Sequence, residues 1–301
     1  PPPPHPPTRP WSSAASDVYK RQIVICAHNE ESFLAETLRA VLAQTVQPMK
    51  ILVVNDNSTD STEAIIDEFV SGNEHILKVN RSSSAFHMPG AKVVEAFNEG
   101  YAQLNDQYDF IVKLDADIIL PENYFEKISE LINSDSKAGI LGGFAYEQDA
   151  NGAWKLNHPM NKDHVRGAFK SYTKECFKAI GGLKNSIGWD TVDELLAQYN
   201  DFKVITDDSL KIKHLRPLGA SYNKRARFLQ GEAMYRMRYG YMISFIASLK
   251  IAWKRKKRVL FFDTLKGYFQ AKKRDLPYLV SEKEGEFIRR LRWRNILNKL
   301  F

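Results

Sequence analysis

Cysteine is nearly absent: Cys26 and Cys176 are the only two in 301 residues, and neither has a second Cys or a His at ligand spacing. That excludes a disulfide scaffold and a zinc finger, and it fits reduced thiols in a cytosolic protein. Long apolar runs are missing too. A membrane-spanning helix needs roughly 18 consecutive apolar residues, and the nearest stretch, Tyr239 to Leu249, stops early at Lys250. Internal repeats are not visible, and 44% hydrophobic with 26% charged residues excludes a disordered or collagen-like chain.

Residues 1–22 are set aside. The first ten are proline-rich, and Ser12 to Gln22 (SSAASDVYKRQ) back-translates codon for codon into a common transposase sequencing adapter. The protein proper is expected to start at Ile23.

Charge is distributed unevenly. Lys224 to Phe301 holds 21 basic and 6 acidic residues, a balance of +15, which leaves 22 basic and 30 acidic residues elsewhere, a balance of −8. An acidic body carrying a basic tail points to an anionic partner for the tail. Nucleic acid is disfavoured, because the acidic body would repel a phosphate backbone.

Four short apolar runs are each followed by a helical pattern. Ile23–Ala27 precedes Glu30–Ala43, Ile51–Val54 precedes Thr62–Val70, His75–Val79 precedes Gly90–Leu104, and Phe110–Leu114 precedes Glu122–Ile132. Continuous β-branched runs alternating with helices predict βαβ units: an α/β, Rossmann-like, mostly parallel sheet flanked by helices. Beyond Gly139, short strands are expected at Gly142-Gly143, Ala168–Tyr172, Phe202–Ile205 and Leu210–His214, with helices over Lys174–Ile180 and Thr191–Asn200. From Phe228 the chain turns helical and basic. A boundary near Tyr222 divides a domain over 23–222 from a basic helical extension over 223–301.

In such sheets, ligands bind beyond the carboxyl ends of the strands. The residues there are His28-Asn29-Glu30, Asn55-Asp56-Asn57-Ser58, Asn80-Arg81 and Asp115-Ala116-Asp117. On an extended strand Asp115 and Asp117 project to one side, as a pair able to grip a hard divalent cation. The alternative is a loop with surface aspartates. Asp56 is placed to accept hydrogen bonds from a base or ribose, while Ser58 to Asp60 offer cap chemistry for the following helix. Thr191 and Glu194 fit a capping box, which would leave Asp190 at the mouth of its helix. Trp189 offers a flat face for stacking a sugar, with a core position as the plainer fate. His214 is a candidate third metal ligand or phosphate contact, or simply structural.

The order I-C-A-H-N-E-E, V-V-N-D-N-S-T-D, K-L-D-A-D, G-W-D-T-V-D-E resembles the family 2 glycosyltransferases with the GT-A fold, over roughly Ile23 to Leu218. The resemblance implies inverting transfer of a sugar from a nucleotide-diphosphate donor, UDP-linked first of all, to a hydroxyl acceptor. It implies Ala27, His28, Glu30, Asp56, Arg81, Lys92 and Asp115 at the nucleotide. Asp115 and Asp117 become the D-x-D that holds Mn²⁺ or Mg²⁺, with His214 beside them, and Trp189 lies at the acceptor. Asp190 or Asp193 is the general base, since Trp189 stands where the family's E-D motif has Glu. Asn55 likewise replaces a common Asp. A glycan or lipid-linked acceptor in cell-surface glycan synthesis follows, at the cytoplasmic face of the membrane.

Two rival enzymes and one non-enzyme share parts of this pattern. D-A-D-I-I-L loosely resembles a haloacid-dehalogenase phosphatase motif, but three βα units precede it here. A nucleotidyltransferase would want a Gly-rich basic loop after the first strand. A degenerate transferase domain that only binds glycan or membrane would not need both D-A-D carboxylates and Asp190.

The tail carries Lys254 to Arg258, five basic residues in a row. Glu286 to Phe301 can gather Phe287, Leu291, Ile296, Leu297 and Leu300 on one helical side. Basic amphipathic helices lie on anionic membrane surfaces; the alternative is a helix packed on the core.

Overall fold

The fold was analysed in a computed structural model that describes residues 19–83, 90–157, 164–216 and 224–298. Its sheet is built first from β1 (Arg21–Ala27), β2 (Lys50–Asp56), β3 (Ile76–Arg81) and β4 (Phe110–Asp115), all parallel, in the order β3-β2-β1-β4. Residues Ile23 to Ile25, Ile51 to Val54 and Phe110 to Val112 are buried, which is why their runs are apolar without alternation. Helix α1 (Leu34–Leu42) buries Leu34, Thr37, Leu38 and Val41, the i, i+3, i+4, i+7 face of an amphipathic helix. Helices α2 (Thr62–Gly72), α3 (Ala91–Ala102) and α4 (Tyr124–Ser134) complete the expected units.

β1 begins at Arg21, two residues before the expected start, because strand pairing needs only backbone: Arg21 pairs with Phe110 and Gln22 with Lys50. Just upstream, the Tyr19 ring packs against Phe110.

Past β4 the sheet becomes mixed. The short β5 (Ile118–Ile119), then β6 (Ala138–Gln148), β7 (Trp154–Leu156), β8 (Phe169–Thr173) and β9 (Lys203–His214) extend it as β4-β8-β6-β9-β5, with β7 on β6. β8 is antiparallel to β4 and β6, whereas β6 and β9 run parallel. β6 spans eleven residues, not the glycine pair alone. A Cβ at Gly143 would lie 2.2 Å from the Leu210 carbonyl oxygen, so the glycine permits the close approach of β9. The two strands expected at Phe202–Ile205 and Leu210–His214 are one strand, bent where its pairing with β6 is irregular.

Helices α5 (Lys174–Ala179) and α6 (Trp189–Tyr199) follow the expected places. The basic region forms α7 (Lys224–Arg236), α8 (Tyr241–Lys254), α9 (Val259–Lys273) and α10 (Glu282–Leu297). The expected boundary near Tyr222 lies outside the described residues. Ser281 and Glu284 form a capping box that starts α10. Among the described residues, no helix is long and apolar enough to cross a membrane.

Candidate active site

Parallel pairing aligns Ala27 with Asn55 and Cys26 with Asp115, so three chain turns leave the sheet at one edge. The first two turns are laced together. The His28 Nδ1 lies 2.5 Å from the Asp56 carbonyl oxygen, and the Asn29 amide donates to Ser58 Oγ at 3.1 Å. The Thr59 amide donates to Asn29 Oδ1 at 2.8 Å, and the Glu30 amide to Thr62 Oγ1 at 2.7 Å. The Asp60 carboxylate accepts from the amides of Glu31 and Thr62, but the N-cap of α2 is Ser61, without a side-chain cap bond, and Ser58 and Thr59 bond to Asn29 and do not cap the helix as expected. Asn29 and Asn57 both have positive φ, a conformation that asparagine tolerates better than most residues. Ala27 ends β1 with its side chain buried.

Asp56 is buried, and one of its oxygens takes a 3.0 Å hydrogen bond from Arg81 Nη1. Its other oxygen, Oδ1, is buried without a partner. A lone buried acceptor costs about 1–3 kcal/mol, a cost that a ligand donor would relieve. Arg81 is itself fixed by Glu99 at 3.0 Å and Glu95 at 3.3 Å. Lys92 lies in the first turn of α3 and makes no ion pair with another described residue.

The D-A-D segment follows β4, on the far side of β1 from β2. Asp115 ends β4 and is paired with buried Lys113. Asp117 is buried, with its Oδ2 at 3.2 Å from His214 Nε2 and 3.9 Å from Arg216 Nε. Burial alone would raise the Asp117 carboxyl, but His214 and then Arg216 outweigh it and hold it below the ordinary carboxylate range. Arg216 also reaches Glu30 at 2.6 Å. Burial, the largest cause, with Asp117 and Asp115 adding to it, pushes the Glu30 carboxyl up to about 7 against the pull of Arg216. Glu30, Asp115 and Asp117 therefore share one negative neighbourhood. His214 faces Asp117 through Nε2, and its Nδ1 is buried without a partner. No three His, Cys, Asp or Glu side chains among the described residues are grouped as a ready-made metal site. Asp115 and Asp117 do not share one extended strand as expected: β4 ends at Asp115, Asp117 lies in the turn that follows, and each carboxylate has its own cationic partner, Lys113 for the first and His214 for the second.

The second cluster departs from expectation. Helix α6 starts at Trp189 with Gly188 as its N-cap, and the Thr191/Glu194 capping box does not form. Glu194 instead turns inward, accepting from the Val165 amide at 2.9 Å and contacting His164 Nδ1 and Lys170 Nζ, each at 2.9 Å. Asp193 is 1% exposed and is held by Lys170 Nζ at 2.9 Å and the Tyr172 hydroxyl at 2.5 Å. Burial raises its carboxyl to about 6, with Glu194 adding to the rise and Lys170 opposing it. Asp193 is thus a core residue with no route to an acceptor. Asp190, in the first turn of α6, is half-buried and gives its backbone carbonyl to Lys170 at 2.5 Å. Its charge is felt by His164 and Arg166.

Trp189 is a correction as well. The ring is 6% exposed, and a Cβ on Gly167 would lie 2.7 Å from it, so it offers no free face for a sugar. Lys113 lies 5.3 Å and Lys170 5.9 Å from its centroid. The indole bridges the lysine that pairs Asp115 and the lysine that pairs Asp193, which makes it a spacer between the two acidic clusters. Lys113, Lys170, Thr37 and Arg216 escaped the sequence reading. The two lysines left a signal, each a charge set inside a strand that is otherwise apolar or buried.

A mostly parallel sheet flanked by helices, with the strand-end turns laced together at one edge, is the architecture of the GT-A glycosyltransferases. The chain belongs to glycosyl transferase family 2, whose model matches residues 22–185, more than half its length. It is 31% identical over 139 residues to the probable glycosyltransferase YdaM of Bacillus subtilis, covering 44% of this chain and 31% of that protein. It is 28% identical over 123 residues to the poly-beta-1,6-N-acetyl-D-glucosamine synthase of Staphylococcus aureus, covering 40% and 27%. The aligned part is about a third or less of these relatives' length. Among solved structures, S. aureus TarS in complex with UDP-GlcNAc superposes with a TM-score of 0.55 at 15% identity, over 83% of this chain and 73% of that one. The mannosyltransferase PcManGT of Pyrobaculum calidifontis, in complex with GDP-Man and Mn²⁺, gives 0.51 at 15% identity, over 75% and 66%. The family match leaves the phosphatase, nucleotidyltransferase and non-catalytic readings without support.

Proposed function

We propose that the protein transfers a sugar, with inversion, from a nucleotide-diphosphate sugar to a hydroxyl acceptor, using a divalent cation held by Asp115 and Asp117. The observations that support this reading are the buried Asp117, held by His214 and Arg216, the 2.6 Å contact of the same Arg216 with Glu30, and, at the end of β2, the unpaired Asp56 Oδ1. Asp56 takes the base through that free acceptor, with Arg81 locking the carboxylate's orientation. Ala27, His28 and Glu30 form the wall of the nucleotide pocket, joined to the second turn by their backbone and side-chain bonds. Lys92 and Arg216 supply positive charge for the diphosphate. When bound, Mn²⁺ or Mg²⁺ would neutralise charge on the departing diphosphate as a Lewis acid.

Asp190 is the general base. A hydroxyl is a weak nucleophile and needs a positioned carboxylate to take its proton as it attacks the anomeric carbon. Of the two candidates, only Asp190 keeps its carboxylate out of the Lys170–Tyr172 network. Because bond breaking at the anomeric carbon builds oxocarbenium character, a nearby negative side chain also lowers the barrier.

The UDP-GlcNAc and GDP-Man of the structural neighbours support a nucleotide-sugar donor, the first of them a UDP-sugar, and the name of the S. aureus relative supports a glycan or lipid-linked acceptor in cell-surface glycan synthesis. Thermal melting against UDP- and GDP-sugars, with and without Mn²⁺, tests the reading. One nucleotide class should raise the melting temperature only when Mn²⁺ is present. Stabilisation that ignores the metal, or none at all, would overturn it.

A further inference from the structure

Of the two fates read for the final helix, a lipid surface or packing on the core, the first half of α10 takes the second, while Leu297 is exposed and Leu300 lies outside the described residues. Ile288 and Leu291 are buried, and Phe287 stacks edge-on to Tyr199 of α6 at 5.6 Å. That helix is spent on holding the extension to the catalytic domain. A larger exposed apolar surface lies on α8 and α9.

Helix α8 buries Ile243, Ser244, Ser248 and Ala252, and α9 buries Thr264, Gly267, Tyr268 and Ala271. Their other sides are exposed, with large apolar side chains on both helices and with Lys266 and Lys273 among those of α9. Met242, Leu249 and Trp253 follow one side of α8 at helical spacing, and Val259, Phe262 and Phe269 follow one side of α9. Trp253 is 81% exposed and Phe262 67%. Aromatic contacts link the two helices next to these stripes: Tyr241 to Phe269 at 5.7 Å, Phe245 to Phe261 at 5.2 Å, and Phe261 to Phe262 at 5.2 Å. Between the helices runs Lys254 to Arg258, five basic residues, all exposed. A contiguous exposed apolar face of this kind marks an interaction site.

We propose that the α8–α9 hairpin docks on an anionic lipid surface, with the aromatic face at the acyl boundary and the basic turn among the headgroups. Trp and Phe side chains suit the boundary layer, and long basic side chains can bury their stems while their charges stay with acidic headgroups. A second copy of the chain is a poor occupant. Asp263 is the only acidic residue on either helix, and it faces Arg227 at 3.5 Å, so a self-contact would set basic turn against basic turn without compensation. Docking would hold the enzyme on the leaflet that faces the sugar-nucleotide pool, within reach of lipid-linked acceptors.

Co-sedimentation of the full chain with vesicles tests this without any turnover, so its outcome is independent of the proposed reaction. The protein should sediment with vesicles of phosphatidylglycerol and phosphatidylcholine, lose most binding at high salt, and stay in solution with phosphatidylcholine alone. Trp253→Ser with Phe262→Ser should weaken binding about tenfold or more, as should Lys256→Glu with Lys257→Glu. Both double variants alter exposed positions and should melt like the wild type. Equal binding to neutral and anionic vesicles, or none to either, would overturn the proposal. So would a dimer in sedimentation velocity that Trp253→Ser dissociates.

Discussion

The hydroxyl of Thr37 donates to the carbonyl oxygen of Ala116 at 2.8 Å, tying the first helix of the domain to the middle of the D-A-D turn. The Thr37 hydroxyl oxygen in turn accepts from the Ile118 amide at 3.1 Å. One buried threonine thus holds the backbone on both sides of Asp117, and it does so from the amphipathic face of a helix seated in the core.

Thr37→Val keeps the side chain's shape and removes both bonds, leaving a buried carbonyl and a buried amide unpaired. We expect a loss of about 1–3 kcal/mol in urea denaturation. Metal-dependent donor binding should weaken as well, since the turn between the carboxylates is no longer pinned. Unchanged stability and unchanged donor affinity would mean that the turn holds itself.

Lys170 carries the second acidic cluster, with no exposed surface and contacts to both Asp193 and Glu194. Lys170→Met should destabilise the fold by about 3–5 kcal/mol, because it strands two buried carboxylates. Replacing Asp193 by Leu in the same chain should recover part of that loss. Chemical denaturation of the single and double variants measures both effects. A single variant within experimental error of wild type would refute this account of the cluster.

The His164–Glu194 pair gives stability a definite pH dependence. Burial works against a charged His164, but its hydrogen bond to Glu194 and that residue's charge outweigh burial and raise the imidazole above 6.5. A raised folded pKa means that the contribution is complete below the unfolded value and is lost as pH rises through the folded one. His164→Gln should therefore cost most stability near about pH 5.5 and progressively less in alkaline buffer. A cost that stays constant across this range would contradict the assignment.

The parallel half of the sheet was legible because Ile23–Ala27, Ile51–Val54 and Phe110–Leu114 are buried on both faces and read as unbroken apolar runs. Their polar ends led directly to Asp56, Arg81, Asp115 and Asp117. β6 was harder to read. Gly139, Gly142 and Gly143 break its pattern, and the reasons for them are the close approach of Phe202 and Cys176, of Val165 and of Leu210, all distant in the chain, which local sequence does not encode. Glu194 misled for a similar reason. Its spacing from Thr191 fits a capping box, yet a buried lysine on β8 and a histidine before it make stronger partners for a carboxylate than a helix terminus does. Trp189 followed the commoner fate of a tryptophan, and its core position became readable only once Lys113 and Lys170 were seen on either side of it.

Asp190→Asn should leave donor affinity unchanged and reduce transfer by roughly 10²–10⁴-fold, the usual worth of a general base. Calorimetric titration of the donor alongside a turnover assay separates the two effects. Loss of donor binding would assign Asp190 to the nucleotide pocket, and normal turnover would remove it from the chemistry.

The most direct test is calorimetric titration of the donor identified by thermal melting, in Mn²⁺ and in chelator, for wild type and Asp117→Ala. Wild type should bind only with the metal, and the variant should bind about a hundredfold more weakly or not at all while folding normally in metal-free buffer. Equal affinity in the two proteins would contradict a cation held by the D-A-D carboxylates.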